Sequence, residues 1–363
     1  TPSRICLFGE HQDYLGLEVI ASAINLRFSA SVQSRDDKII RISIRDEKLD
    51  KLNDINSYNS YDIKTIDLTK PIVYDNNRDY LKSTVKTLIK NGYNFEHGYE
   101  IVMDSDIPIG KGMSSSTTMI IVLIKALLEA MDSKDKDDAE KIAMLGFNAV
   151  VVEFNEPGGM MDHYTSALGG LVHLNFDNNK TQVERINTTI PGCFILFDSK
   201  EQKNTTKVLA NAKYPVLNGL GKLNKYGISS IRDFITDEGN MKYLDQLESE
   251  EKLKLNASID NYRILKEAEA LLKSQNFSPE LFGELLNRHH KNLRDGLNIS
   301  TPAIERILDT ALKKGALGGK INGSGGGGCG FVYAFEEDSK RIVDAIESIG
   351  FPGKAIKQDT GVR

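Results

Sequence analysis

Three hydrogen-bonding side chains, Glu10, His11 and Asp13, fall within four positions once the apolar run of RICLFGEHQDYLG, residues 4–16, has broken at Gly9. Their density in one turn calls for a partner with several polar groups, which the stretch alone leaves unnamed. A second stretch, PIGKGMSSSTTMIIVLIKALLEAM at 108–131, passes from Gly110, Lys111 and Gly112 into Ser114, Ser115, Ser116 and Thr117 and then into an apolar helix. Such a loop sets backbone N–H groups and hydroxyls at a helix N-terminus, where unpaired donors and the positive dipole end favour an anion such as phosphate. The spacing is not G-x-x-x-x-G-K-S/T, so no P-loop NTPase is signalled, and a serine-rich N-cap after an ordinary turn fits equally well. In the third stretch, EFNEPGGMMDHYTSALGG at 153–170, Asp162 follows a Pro-Gly-Gly turn, a position that in isolation suits a helix cap. The fourth, GGKINGSGGGGCGFVYAF at 318–335, holds six glycines in eight residues between strand-like flanks. Glycines joining two strands inside a domain allow backbone to approach a ligand or other backbone closely.

The elements that must position these stretches are legible at coarse grain. Alternation over 26–33 and 39–45, with SRDDK between, predicts a hairpin. The Asn-, Asp- and Lys-rich segment 46–78 has no period and reads as a surface excursion without chemistry. A helix follows, with Tyr80, Val85, Leu88 and Ile89 on one side and a stop at Asn91-Gly92. A strand at YEIVMDSDIP, helices over 114–131 and 136–155, and a strand over 169–176 come next. A second region begins near CFILFD (193–198), is mostly helical to about 314, and closes with strand, Gly-rich loop, strand, helix and strand. This order implies an α+β fold in two lobes, antiparallel sheets covered by helices. There is no internal repeat, and 220–260 has only weak periodicity.

Composition narrows the partners. A chain of 363 residues suggests about two domains. Its 46 basic and 51 acidic residues form no basic stripe, which argues against nucleic acid and anionic membrane surfaces. Three unpaired-looking cysteines fit a reducing, cytoplasmic compartment. No apolar stretch approaches a membrane span, TPSR has no signal-peptide character, and the missing initiator Met leads us to expect a few absent leading residues. The adjacent His289-His290 pair reads as a solvated helix surface rather than a metal site, and Cys329 as structural.

Taken in order, SRICLFGEHQDY, PIGKGMSSST, PGGMMDHY and INGSGGGGCG resemble the motifs of the GHMP small-molecule kinases, and among them the galactokinases, whose motifs read approximately G-R-x-N-x-I-G-E-H-x-D-Y, P-x-G-x-G-L-S-S-S-A, P-x-G-I-M-D-Q and a Gly-rich G-G-C segment. The resemblance implies the two-lobed GHMP kinase fold, with a ribosomal-protein-S5-domain-2-like N-terminal lobe over 1–180 and a ferredoxin-like C-terminal lobe over 181–363. It implies ATP- and Mg²⁺-dependent phosphorylation of the anomeric hydroxyl of a sugar by a monomer or small homo-oligomer. Glu10, His11 and Asp13 would clamp the sugar, with Gly159 and with Tyr214 of NAKYPV. Asp162 would accept or orient the proton of the attacking hydroxyl, beside Arg4. Pro108, Gly110, Lys111, Gly112, Ser114, Ser115, Ser116 and Thr117 would cradle ATP, with Ser116 on Mg²⁺. Val150 stands where the family generally carries a Mg²⁺-binding glutamate, and Glu153, one helical turn on, is the candidate substitute. Cys6 for the motif's asparagine, VLNG after the YP pair and the short lead before Arg4 weaken the assignment to galactose, and the alternative is another sugar: N-acetylgalactosamine, arabinose, fucose, a uronic acid or a heptose. A mevalonate-type alcohol is the alternative substrate. A catalytically silent sugar sensor is the alternative of another class, disfavoured because Arg4, Asp162 and the serines are all present.

Overall fold

The computed structural model describes residues 1–45, 61–108, 112–176, 181–202 and 204–363, so the expected phosphate-loop residues Gly110 and Lys111 lie outside the described residues. The opening apolar run is strand β1 (Pro2–Phe8), buried throughout and antiparallel to β2 (Val19–Arg35). β2 is buried on both faces at its start and alternates towards its end, so it leaves the core for a half-covered surface. With β3 (Ile39–Arg45), β4 (Tyr61–Asp67), β5 (Gly98–Ser105), β6 (Leu171–Asn175) and β7 (Gln182–Arg185) these strands form a seven-stranded sheet in the order β4-β3-β5-β2-β6-β7, β1 also pairing with β2.

The expected hairpin of β2 with β3 is not formed. β5 lies between them, antiparallel to β2 and parallel to β3. It enters at Gly98, whose N–H donates to Asp37 O and where a Cβ would come within 2.2 Å of Ile39 O. A glycine thus lets a third strand wedge into the turn. The supposed excursion also contains β4, paired with β3.

Helix α1 (Tyr80–Lys90) is capped by Asp79 and ends at Asn91, as its signals predicted. Its buried face is Leu81, Thr84, Val85 and Leu88, whereas Ile89, one position round, is exposed. The apolar α2 (Ser115–Ala130) lies along β2, with α3 (Ala139–Phe147) and α4 (Met161–Leu168) against it. The helix expected to 155 ends earlier: α3 widens into a π-turn over Asn148–Val152 and gives way to the turn before α4.

A second sheet, β11-β8-β10-β9, joins β8 (Cys193–Asp198), β9 (Gly318–Ile321), β10 (Cys329–Ala334) and β11 (Gly353–Ile356), all antiparallel. The glycine run connects β9 to β10 as expected. Helices α5 (Thr205–Leu223), α6 (Arg232–Thr236), α7 (Ser249–Lys273), α8 (Pro279–Lys291), α9 (Pro302–Lys313) and α10 (Ser339–Ser348) accompany this sheet. The weakly periodic 220–260 segment folds around its own small core of Leu223, Ile228, Phe234 and Leu255. The first sheet runs on to Arg185 in β7, and the chain end returns to it, Gln358 bridging Ile24 and Thr360 bridging Gly169.

His289 and His290 are buried, not solvated. His289 stacks on Phe8, and His290 pairs with Glu305 at 2.8 Å. Adjacent helical residues point about 100° apart, and α8 is covered on both sides, by β1 and by β9.

A charged network fastens α7 to the first sheet. His173 of β6 lies 3.0 Å from Glu18, 3.3 Å from Glu184 and 3.4 Å from Glu269, while Lys266 pairs with Glu18 and Lys273 with Glu184 and Glu269. The lysines already neutralise these carboxylates, so the cluster is an ion network and not a cation cage. Burial lowers His173, but its three acidic neighbours outweigh that and raise it above the ordinary histidine range. Burial likewise opposes the ionisation of Glu18, but hydrogen bonds from His173, Lys266 and Tyr262 outweigh burial and hold the carboxyl at about 2. The histidine contribution is complete below its unfolded pKa and is lost as pH rises through its folded one; the Glu18 contribution is lost as pH falls towards about 2. Thermal melts should therefore show stability declining on the alkaline side, and His173→Gln should flatten that limb.

Candidate active site

β1 carries Arg4 to the centre of the molecule, where only 2% of it is exposed. Its Nε donates to Asp162 Oδ1 at 2.7 Å and its Nη1 to Gly112 O at 3.2 Å. Asp162 stands in the first turn of α4, and Ser114 Oγ donates to its Oδ2 at 2.6 Å. Burial pushes the Asp162 carboxyl up, but Arg4 and Ser114 outweigh it and hold the group below the usual carboxylate range. Ser114 caps α2 with a left-handed backbone, φ 56°, a strained conformation for a residue with a Cβ.

Across from this pair, Asp13 Oδ1 accepts from Tyr14 N–H at 2.9 Å and Oδ2 from Met161 N–H at 3.2 Å. Gly159 makes that reach possible: a Cβ there would lie 1.9 Å from Asp13 Oδ2. Burial, then repulsion from Asp162, raises Asp13 to about 6 despite its two N–H donors. His11 spends one ring nitrogen on Tyr14 (2.7 Å) and the other on Ser324 O (3.1 Å) in the Gly-rich connector. Glu10 pairs at 2.8 Å with Lys320 of β9, both side chains buried, and the same ammonium donates to Cys6 O. Asn322 receives Cys6 N–H at 2.9 Å, and a Cβ at Gly323 would come within 2.6 Å of Gly112 O. The glycine connector is thus pressed against the loop before α2. Arg4, Glu10, His11, Asp13 and Asp162 line a cavity of about 360 Å³ onto which Ser115, Ser116 and Thr117 at the start of α2 also face.

A model for the N-terminal domain of GHMP kinases matches residues 79–170, and one for the C-terminal region of GHMP kinases matches 268–351. The chain belongs to the GHMP kinases. Galactokinase from Clostridium perfringens is 28% identical over 361 residues, which span 96% of this chain and 88% of that protein. The structure of Lactococcus lactis galactokinase complexed with galactose superposes with a TM-score of 0.78 at 20% identity, over 99% of this chain and 93% of that one. Mevalonate kinase from Methanococcus jannaschii gives 0.69 at 24% identity, over 99% and 97%.

In this GHMP kinase, Arg4, Glu10, His11, Asp13, Gly112, Ser114 to Thr117, Gly159 and Asp162 all line one cavity. Pro108 and Tyr214 do not. Tyr214 stands half exposed on α5, one residue past Lys213, whose ammonium lies over the Tyr14 ring. Glu153 is also outside the lining. Its carboxylate receives Tyr74 Oη, Lys90 and Lys86, and these hold it at about 2. The turn after the π-segment aims it at α1, so the expected metal role is not available to it. The wall contains groups that sequence reasoning passed over: Arg78, Tyr80, Glu156 and His163. Arg78, from the segment read as without chemistry, donates to Glu156 at 2.8 and 2.6 Å and to Thr206 of α5 at 3.0 Å, tying the two lobes together at the rim. The carboxylate of Glu156 just before the Pro-Gly-Gly turn was the signal that could have found this pair.

The first turn of α2, with its N–H groups and hydroxyls, suits the phosphates of ATP. A magnesium cage is another matter, since that cation takes oxygen ligands in strict octahedral geometry. Ser116 offers a hydroxyl, but Val150 is apolar and every carboxylate lining the cavity already accepts from the protein: Glu10 from Lys320, Asp162 from Arg4 and Ser114, Glu156 from Arg78 and Tyr80, Asp13 from two N–H groups. A divalent cation carried by the nucleotide phosphates would find the Ser116 hydroxyl and water here, and a carboxylate only by sharing one that the protein already uses. Among the described residues no helix is long and apolar enough to cross a membrane.

Proposed function

We propose that this protein is a galactokinase-like sugar kinase that transfers the γ-phosphate of ATP to the anomeric hydroxyl of a monosaccharide. The observation that carries this reading is the Arg4–Asp162–Ser114 constellation facing Asp13 across one cavity that opens on the α2 N-terminus. The nucleotide supplies the phosphoryl group, and the protein supplies position and charge. Asp162, ionised at neutral pH, accepts the hydrogen bond of the attacking hydroxyl and takes its proton as the bond to phosphorus forms. A loose transition state asks little deprotonation in advance, so a weakly basic carboxylate suffices. Arg4 keeps Asp162 in place and offsets charge growing on the transferred group. Asp13, free of any cationic partner at hydrogen-bond distance among the described residues, is the strongest remaining acceptor for sugar hydroxyls.

ADP release should be screened over galactose, N-acetylgalactosamine, arabinose, fucose, glucuronate and mannoheptose derivatives, with the phosphorylated hydroxyl then determined. Turnover of one of them to the 1-phosphate supports the reading, and phosphorylation of mevalonate alone overturns it. The Asp13 environment adds a pH test. The carboxylate form binds, so sugar affinity should fall as pH drops below about 6. Asp13→Asn should abolish that dependence and weaken sugar binding by about tenfold or more, because charge-assisted hydrogen bonds are lost, while ATP affinity stays level. Calorimetric titrations at several pH values check this.

A further inference from the structure

At the rim of the cavity three of its lining residues meet at one carboxylate. Arg78 Nε and Nη2 donate to Glu156 at 2.8 and 2.6 Å, and the Tyr80 hydroxyl donates to the same group. Because Arg78, Tyr80 and Glu156 all line the cavity, the point where they meet belongs to its wall. The N–H of Glu156 donates to Val151 O at 3.0 Å, which fastens the residue to the π-segment, whose Val150 and Val151 line the cavity beside it. A cavity of about 360 Å³ lies near the small end of the range for single-ligand pockets, roughly 300–1,000 Å³. A triphosphate seated on the α2 N-terminus therefore comes within reach of this wall. The Arg78 side chain is 48% exposed, and ion pairs this open to water hold little free energy. Its Nη1 makes no hydrogen bond among the described residues, so donors remain for an incoming anion.

We propose that the Arg78–Glu156 pair is a latch opened by the metal–nucleotide complex: Arg78 turns to the phosphates, and Glu156 supplies a carboxylate ligand to the divalent cation. A guanidinium and a carboxylate carry the same two signs as that cation and the phosphates, so the four charges can exchange partners without leaving one unmatched. Guanidinium suits phosphate, and a carboxylate oxygen is what Mg²⁺ takes beside phosphate and water. Glu156 is the carboxylate to share, because its cation is the more exposed one: Arg4, which holds Asp162, and Lys320, which holds Glu10, are both buried. The proposal rests on the reading of the protein as an ATP-dependent kinase.

The test measures binding to the whole chain without turnover, by calorimetry with the β,γ-methylene analogue of ATP, either loaded with Mg²⁺ or kept metal-free by a chelator. Glu156→Gln removes the cation ligand and releases Arg78. Loss of an outer partner of a metal ligand already costs about tenfold, so the Mg²⁺ form should weaken by at least that, while the metal-free form holds level or gains. Arg78→Met should do the reverse: the metal-free form weakens about tenfold, and the advantage of the Mg²⁺ form over it grows. Pulsed electron–nuclear double resonance of the Mn²⁺ form, on protein isotopically labelled at the glutamate carboxyl carbons, should show a carbon coupling that Glu156→Gln lacks. A pair that is only structural would move both nucleotide forms together in both variants, and that result overturns the proposal. A carbon coupling absent from the wild-type protein, or persisting in Glu156→Gln, overturns it too. Should one variant fail to fold, the other variant and the wild-type resonance still decide. A wild-type protein that binds neither nucleotide form would remove the kinase reading, and this inference with it.

Discussion

Asp162→Asn is expected to lower kcat by about 10²–10⁴-fold, the span that positioned proton acceptors supply, while sugar affinity stays within a few fold. The amide keeps the shape of the side chain and can still accept from Ser114, but it cannot take the proton of the attacking hydroxyl. It also leaves Arg4, which is buried, facing a neutral group. Removing one partner of a buried pair is destabilising, so turnover has to be measured well below the melting temperature of the variant. Near-normal kcat would remove Asp162 from the mechanism. The pH profile separates the two aspartates: because Asp162 is held below the ordinary range and Asp13 is raised to about 6, an acid limb near that pH in kcat/KM belongs to Asp13. In Asp13→Asn that limb should disappear.

What could be read from the sequence was local. The serine run opening α2, the Asn-Gly stop of α1, the strand before Gly-rich connector and strand, and the aspartate after a Pro-Gly-Gly turn each depend on neighbours within a few positions, where propensity and capping decide. What could not be read depends on contacts across the chain. Glu10 meets Lys320 from 310 positions away, and no local pattern in GEHQDY says that one carboxylate oxygen is already taken. Glu153 looked available because it lies on the helical face expected to follow Val150, but the π-turn changes that face and Lys86 and Lys90 of α1 claim the carboxylate. Arg78 was hidden in a segment whose polarity suggested only solvent. The hairpin expectation failed for a related reason: alternation marks a strand but does not name its neighbour, and Gly98 decides that β5 enters between β2 and β3. His163 carries no signal in sequence, since its place in the wall is set by contacts with Phe147 and Gly146.

Lys320→Met should cost about 3–5 kcal/mol of stability, the usual consequence of stranding one charge of a buried pair. The ammonium is fully buried, 2.8 Å from Glu10 Oε2 and 2.8 Å from Cys6 O, and stands over the Phe331 ring. Methionine fills similar volume without a donor, so the buried Glu10 carboxylate would lose the cation it is hydrogen-bonded to. Because β9 brings Lys320 from the second sheet and Glu10 lies in the turn that follows β1, the pair also pins the turn proposed to bind sugar to the strand that leads into the glycine connector. Sugar affinity should therefore fall in the variant even where it remains folded. The double variant Glu10→Gln with Lys320→Met distinguishes coupling from simple loss of packing. If the pair is coupled, neutralising the carboxylate relieves the stranded charge, and the double variant is more stable than Lys320→Met alone. Denaturant midpoints of wild type, both single variants and the double variant give the interaction energy directly. A double variant whose loss equals the sum of the two single losses would show that Lys320 is held by Cys6 and its packing, and that Glu10 is free to serve the ligand alone.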